Sequence, residues 1–206
     1  MKPVCLVIGA GAGIGGTVAR RFAQEGYHAC LCRRTDRDGL ERMVAEIEAE
    51  GGSASGYLLN AVDDGAIEER VAAIESDVGG IDVAVYNLGA QIGDRTLQDT
   101  SYKAFEMGWR MGTFGLFRLA SALCPHMEAR GQGTVLVTSA TAAMRGNAGQ
   151  HSHAAAMGGR RMLCQTLNAE LSSKGIHVAH IIIDGAVDAP DTLGKMLGPE
   201  RFQQLR

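Results

Sequence analysis

A chain of 206 residues, 46% apolar and 21% charged, can bury the core of one domain, which excludes disorder as its main state. Twenty basic residues against 23 acidic ones leave a net charge of −3, so no basic field marks a nucleic-acid binder. Glycine is in excess, 28 residues against 4 prolines, and its uneven clustering excludes a collagen-like repeat.

In chain order, short apolar runs alternate with helical periods. Residues 4–8 read as a buried strand, followed by Ile14, Val18 and Phe22 at i, i+4, i+8 spacing. Residues 27–32 form a second short run, and Leu40, Met43, Val44 and Ile47 then repeat the helical period. Residues 55–59 are a weaker strand, before a helix face of Ile67, Val71, Ile74 and Val78. Residues 81–86 make a fourth strand, and a long helical region over 101–130 is expected to kink at Pro125. A fifth strand at 133–138, a helix around 153–173 and a sixth strand at 176–183 complete the alternation. Continuously apolar strands alternating with helices predict a parallel sheet covered on both faces. The expected fold is a doubly wound, three-layer α/β domain over residues 1–206, with at least six strands in the order 3-2-1-4-5-6. The polar tail over 188–206, with Leu193, Met196, Leu197 and Phe202 as anchors, is expected to form a substrate-lid-like segment cut short before a last strand.

The first apolar run is too short for a secretory core, and no stretch of about 18 apolar residues predicts a membrane span. Cys5, Cys30, Cys32, Cys124 and Cys164 lack C-x-x-C spacing, and Cys30 and Cys32 share a strand face. They read as small buried hydrophobes in a reducing cytoplasm, with no metal or redox role.

The glycines concentrate in Gly9-Ala10-Gly11-Ala12-Gly13-Ile14-Gly15-Gly16, between the first strand and the first helix. Glycine there permits a tight turn and lets backbone N–H groups approach a pyrophosphate at a helix N-terminus. The same glycines would serve a turn needed only for helix–sheet packing, and nucleotide binding is the favoured reading.

The turn Ile8-Gly9-Ala10-Gly11-Ala12-Gly13-Ile14-Gly15 resembles the TGxxxGIG turn of the short-chain dehydrogenases/reductases, with Ile8 at the threonine. Residues 82–89, ending in Tyr86-Asn87-Leu88-Gly89, resemble that family's DVLVNNAG strand end and keep the second asparagine and the glycine. Asp184-Gly185-Ala186-Val187-Asp188-Ala189 is similar to PGxVxT, with the proline and threonine replaced. The resemblance covers nearly the whole chain. It implies a nicotinamide dinucleotide lined by Gly9, Gly11, Gly13, Ile14, Gly15, Asn87, Gly89, Gly185 and Val187, and a small-molecule substrate. It also implies a homodimer or homotetramer packed through the helices at 101–130 and 153–173.

Cofactor choice is read at the end of the second strand, where NAD-preferring relatives carry an acid. That position falls on Cys32, followed by Arg33 and Arg34, and a guanidinium suits a 2′-phosphate that an acid would repel. NADP(H) is therefore expected over NAD(H), although both arginines could be solvated surface charges. Asn60 falls where the family often places an aspartate near the adenine.

The family's reaction uses a tyrosine as general acid/base, a lysine four residues later, a serine thirteen residues before the tyrosine and an asparagine on the preceding helix. Gly146–Met157 resembles the GNxGQxxYxxxK stretch, which places His153 at the tyrosine and Met157 at the lysine. Counting back places Ala140 at the serine, and Gly112 occupies the asparagine position. Ser139 and Thr141 remain, but neighbours on a strand face opposite sides. Alanine and glycine offer no hydrogen bond, and a thioether neither depresses a neighbour's pKa nor holds ribose hydroxyls. The expectation is a family member with a degenerate site, weak or inactive in standard hydride transfer. The alternatives are a non-catalytic dinucleotide-sensing or regulatory oligomer and an atypical reductase using His153. His151 and His153 lack an acid or cysteine beside them for a metal, and His177 and His180 should face opposite sides of their strand. Arg160 and Arg161 read as a solvated face or interface charges.

Overall fold

The computed structural model describes residues 2–89 and 95–185 and, beyond these, residues 187, 198, 200 and 203. Val4–Ile8 forms β1, with all five residues buried. The chain continues through α1 (Ile14–Gln24), β2 (His28–Arg33), α2 (Arg37–Ala49), β3 (Ser53–Leu58), α3 (Ala66–Asp77) and β4 (Ile81–Tyr86). Next come α4 (Tyr102–Trp109), a π-helical turn (Arg110–Phe114), α5 (Gly115–Arg130), β5 (Gly133–Ala140), α6 (His151–Leu171) and β6 (Ile176–Ile183). The six strands are parallel and ordered β3-β2-β1-β4-β5-β6, the order expected of the doubly wound fold. Strand order reverses between β1 and β4, which opens a crevice at the carboxyl ends of the strands.

Two cores lie on the two faces of the sheet. Leu31, Val7 and Val85 pack with Ala19, Ala23, Leu40 and Ile47 of α1 and α2. Leu6, Ile8 and Val137 pack with Ile67 and Ile74 of α3, Leu119 and Leu123 of α5, and Cys164 of α6. All five cysteines are buried free thiols, and burial pushes Cys30 and Cys32 up to about 12. They pack as hydrophobes and are poor nucleophiles at neutral pH. No helix among the described residues is long and apolar enough to cross a membrane.

The long helical region holds an irregularity besides Pro125. Pro125 sits inside α5, and a π-helical turn at Arg110–Phe114 joins α4 to α5. Ser121 and Pro125 lie on the solvent face, so the Ser121 carbonyl that Pro125 leaves without a donor can be satisfied by water. The wider turn sits where the helix meets its neighbours. Tyr86 donates its hydroxyl to the Met111 carbonyl, and Thr113 donates to the Ala156 carbonyl at 2.7 Å. Gly159 permits this approach, because a Cβ there would lie 2.9 Å from the Thr113 hydroxyl. The lid-like tail expected over 188–206 lies outside the described residues, apart from residues 198, 200 and 203.

Candidate functional site

The crevice begins at the glycine turn. Gly9 has φ +94°, and its N–H and that of Ala10 both donate to the Cys32 carbonyl at 2.9 Å, which ties the turn to the end of β2. A Cβ on Gly15 would lie 2.1 Å from the Gly9 carbonyl oxygen, so the first turn of α1 lies against the loop as only glycine allows. Gly13 caps α1 and no side chain bonds its first turn. The Gly16 N–H donates to the Gly11 carbonyl at 2.8 Å, and the N–H groups of Ile14 and Gly15 are left at the helix N-terminus to face an anion.

Asn87 braces this turn and does not reach outward. Its Nδ2 donates to the Gly9 carbonyl at 3.0 Å, and its Oδ1 accepts from the Thr138 hydroxyl at 2.8 Å. Gly89 is exposed beside it, and Gly185 and Val187 follow β6. Asn60 donates to Asp63 at 2.7 Å at the surface.

Between α1 and α2 lies a cavity of about 420 Å³, whose walls include Ala12, Thr17, Arg20, Arg33, Asp36 and Arg42. Arg33 is held by Asp36 at 3.0 Å, and Asp36 also caps α2 by accepting from Gly39 N–H at 3.0 Å. Arg20 is tied to Glu46 and, at 3.6 Å, to Glu50. Arg42 forms no ion pair among the described residues and leaves its guanidinium available. Arg34 is exposed next to Arg33. The periodicity of α2 places Arg42 on a polar face, and its convergence with Arg33 depends on how α1 and α2 pack, which spacing alone does not encode.

The second half of the crevice holds the four positions that the resemblance aligns with the family's reacting residues. Ala140 ends β5, and Gly112 is buried in the π-helical turn. Met157 is 2% exposed and packs with Ala142, Ala143 and Ala156. Its sulfur accepts from the Ser139 hydroxyl at 3.5 Å, so Ser139 is turned beneath α6, and Ala140 packs against the same small cluster. His153 is half-buried, and its Nδ1 is buried without a hydrogen-bond partner among the described residues. The cavity beside it measures about 10 Å³, room for about one water. Burial, and then the charge of Arg160, hold the His153 imidazole below its ordinary range.

Arg160 overturns the expectation of a solvated or interface charge. It is 1% exposed and donates to three backbone carbonyls, Gly112, Thr138 and Leu88, at 2.7, 2.6 and 2.8 Å. Its Cζ also lies 5.2 Å from the centre of the Tyr86 ring. An arginine on a helix normally reaches solvent, and the acceptors that hold this one lie 22 to 72 residues away in sequence. His177 and His180 behave as expected, one exposed and the other half-buried.

The histidines predict an acid-sensitive fold. His28, His153 and His180 are each lowered from 6.5, chiefly by burial. A group whose folded pKa is depressed in this way takes up its proton more readily unfolded. Its stabilising contribution as neutral imidazole is complete above about pH 6.5 and is lost as the pH falls below it. Denaturant unfolding is expected to give lower stability at pH 5.5 than at pH 7.5, with a smaller drop in His153→Gln. An equal drop in parent and variant would contradict the assignment to His153.

Three comparisons bear on this site. A family model described as short chain dehydrogenase matches residues 3–194. The short-chain reductase protein NovJ of Streptomyces niveus is 35% identical over 97% of this chain and 76% of its own length. A solved short-chain dehydrogenase from Rhodopseudomonas palustris is 34% identical, covers 87% of this chain and 84% of its own, and superposes with a TM-score of 0.83. A short-chain dehydrogenase from Sphingobium yanoikuyae, solved in complex with NADPH, shares the fold with a TM-score of 0.82 at 24% identity, over 91% of this chain and 73% of its own.

Proposed function

The chain belongs to the short-chain dehydrogenase family, and from that premise we propose that it binds NADP(H) in preference to NAD(H) and carries out ordinary carbonyl–alcohol hydride transfer weakly or not at all. One contrast supports this reading: the phosphate-facing half of the crevice offers backbone N–H groups and arginines, and the four aligned positions of the other half carry none of the family's asparagine, serine, tyrosine and lysine. At the first half, Gly9 and Gly15 form a cradle that a Cβ would fill, and the α1 N-terminus has no side-chain cap. The arginine-lined cavity lies beside them, where a 2′-phosphate would find Arg33 and Arg42.

At the second half the fit fails. Met157 buries its side chain against Ser139 and presents no donor to a ribose. Ala140 cannot hydrogen-bond a substrate carbonyl, and Gly112 offers only a backbone oxygen already taken by Arg160. When bound, the dinucleotide would supply the hydride; a proton must still reach the alkoxide oxygen. His153, held neutral by burial and by Arg160, is a weak acid for that task, which argues against the reductase reading built on it. A dinucleotide-sensing or regulatory oligomer follows from the same geometry. The stacked Trp109–Phe114–Phe117 rings, with Trp109 and Phe117 exposed, support subunit packing through α4 and α5.

The test is calorimetric titration with NADPH and NADH, alongside steady-state rates over a panel of carbonyls. Binding of NADPH with negligible turnover supports the reading, and rates typical of working reductases would refute it. Arg42→Ala is expected to weaken NADPH by about tenfold, roughly the value of one charge-assisted phosphate contact, and to leave NADH unchanged. An equal effect on both dinucleotides would remove Arg42 from phosphate recognition.

A further inference from the structure

Arg160 lies one helical turn beyond Met157, close to it on the α6 surface. Among the described residues it makes no ion pair, although it is the largest fully buried side chain. An uncompensated buried charge is kept only where dipoles replace water around it. Here three carbonyls do so, and each belongs to a segment carrying one of the site positions. Gly112 is itself the asparagine position, in a π-helical turn whose altered bonding makes room for an outside donor. Thr138 precedes Ala140 by two residues on β5. Leu88 lies between Asn87 and Gly89. The helix that carries Arg160 also carries His153 and Met157, so one guanidinium joins all four pieces.

We propose that Arg160 is the positioning residue of this site, a relocated cation in place of the relatives' lysine. It fixes the Leu88–Gly89 turn against β5 and α4–α5, in the arrangement that receives the nicotinamide half of the dinucleotide. Being 1% exposed, it acts through these backbone segments and does not touch the ligand. The inference rests on the dinucleotide reading above, and it also makes a claim that needs no dinucleotide: Arg160 stands seven residues, about two helical turns, beyond His153 on the same side of α6, and its charge acts on that imidazole. Among the described residues, the other charged or titratable groups lining the small cavity beside His153 are Arg95 and His151.

The experiment compares Arg160→Met, Arg160→Lys and the double variant Met157→Lys/Arg160→Met with the parent. Calorimetry uses two probes, NADPH and adenosine 2′,5′-bisphosphate, which lacks the nicotinamide half. Arg160→Met is expected to bind NADPH at least about tenfold more weakly and the bisphosphate within about twofold of the parent. A lysine returned to position 157 is expected to recover most of that loss. NMR titration of the His153 imidazole is the independent readout, with a midpoint that rises in Arg160→Met and falls back in the double variant. Unchanged NADPH affinity, or equal loss of both probes, would overturn the proposal and leave Arg160 a packing residue. If the parent binds neither probe, the dinucleotide reading falls and the His153 midpoint alone decides: a rise in Arg160→Met supports the charge role, and an unmoved midpoint overturns it. If Arg160→Met does not fold, Arg160→Lys carries the test. Keeping the charge while reaching fewer carbonyls, it should weaken NADPH without moving the His153 midpoint, and parent-like NADPH affinity would overturn the proposal.

Discussion

Gly15→Val is expected to abolish NADPH binding, seen as loss of the calorimetric signal, and to lower the melting temperature by several degrees. The reason is a contact that cannot relax cheaply. The new Cβ would lie 2.1 Å from the Gly9 carbonyl oxygen and 2.9 Å from Asn87 Nδ2. That carbonyl is pinned, because it accepts from Gly11 N–H at 2.9 Å and from Asn87 at 3.0 Å. Gly9 itself sits at φ +94° with its own N–H held by Cys32. The start of α1 must therefore swing away, and the N–H groups that would face a pyrophosphate go with it. Overpacking of this kind costs about 1–3 kcal/mol, and each kcal/mol lowers the melting temperature by about 2–4 °C at this size. Gly11→Ala is the control, since nothing lies within 4 Å of a Cβ there, and its stability should match the parent's. If Gly15→Val kept NADPH affinity, the glycine turn would be a packing device and its nucleotide reading would fall.

The glycine turn is legible in the sequence because its signal is local: strand, glycines and helix follow within the span of β1 and α1. The strands and their parallel pairing are legible for a similar reason, since each buried strand is a short apolar run and parallel pairing demands the helices between them, while their order follows from the fold type. Boundaries differ only at the edges. β3 begins at Ser53 and not residue 55, because Ser53 and Ser55 both face His28, one bonding its Nδ1 and the other its Nε2. The proposed substitutions at 112, 140, 153 and 157 are read from spacing as well, by alignment with the family's stretch.

Two features are not legible, and they meet at one place. The helical period of apolar residues continues across 110–114, so nothing in it marks the wider turn, and Pro125 is the visible breaker. Arg160 looks like any helix-surface arginine until the acceptors arrive from Leu88, Gly112 and Thr138. Backbone carbonyls have no residue type and leave no trace in composition or spacing. A buried cation held by such groups is invisible until the fold is known.

A four-residue variant tests whether these substitutions account for the weak hydride transfer proposed above. The variant Gly112→Asn/Ala140→Ser/His153→Tyr/Met157→Lys is expected to oxidise NADPH over a reducible carbonyl at least about 10²-fold faster than the parent in single-turnover assays, the scale of a regained general acid. The hydroxyl at 140 would hold the carbonyl, the phenol at 153 would donate the proton, and the ammonium at 157 would lower that phenol's pKa. Arg160 opposes the last of these changes. The new ammonium would enter a pocket that now holds the apolar thioether of Met157, one turn from a guanidinium that is already buried, and like charges at that spacing repel. The four-residue variant should therefore melt below the parent. Adding Arg160→Leu removes that repulsion and should raise the rate further, because a single cation then serves the site from the position the relatives use. If the five-residue variant is well folded and still idle, the missing function lies beyond these positions, in the substrate or nicotinamide pocket. A gain in rate without Arg160→Leu equal to the gain with it would show that the two cations do not compete.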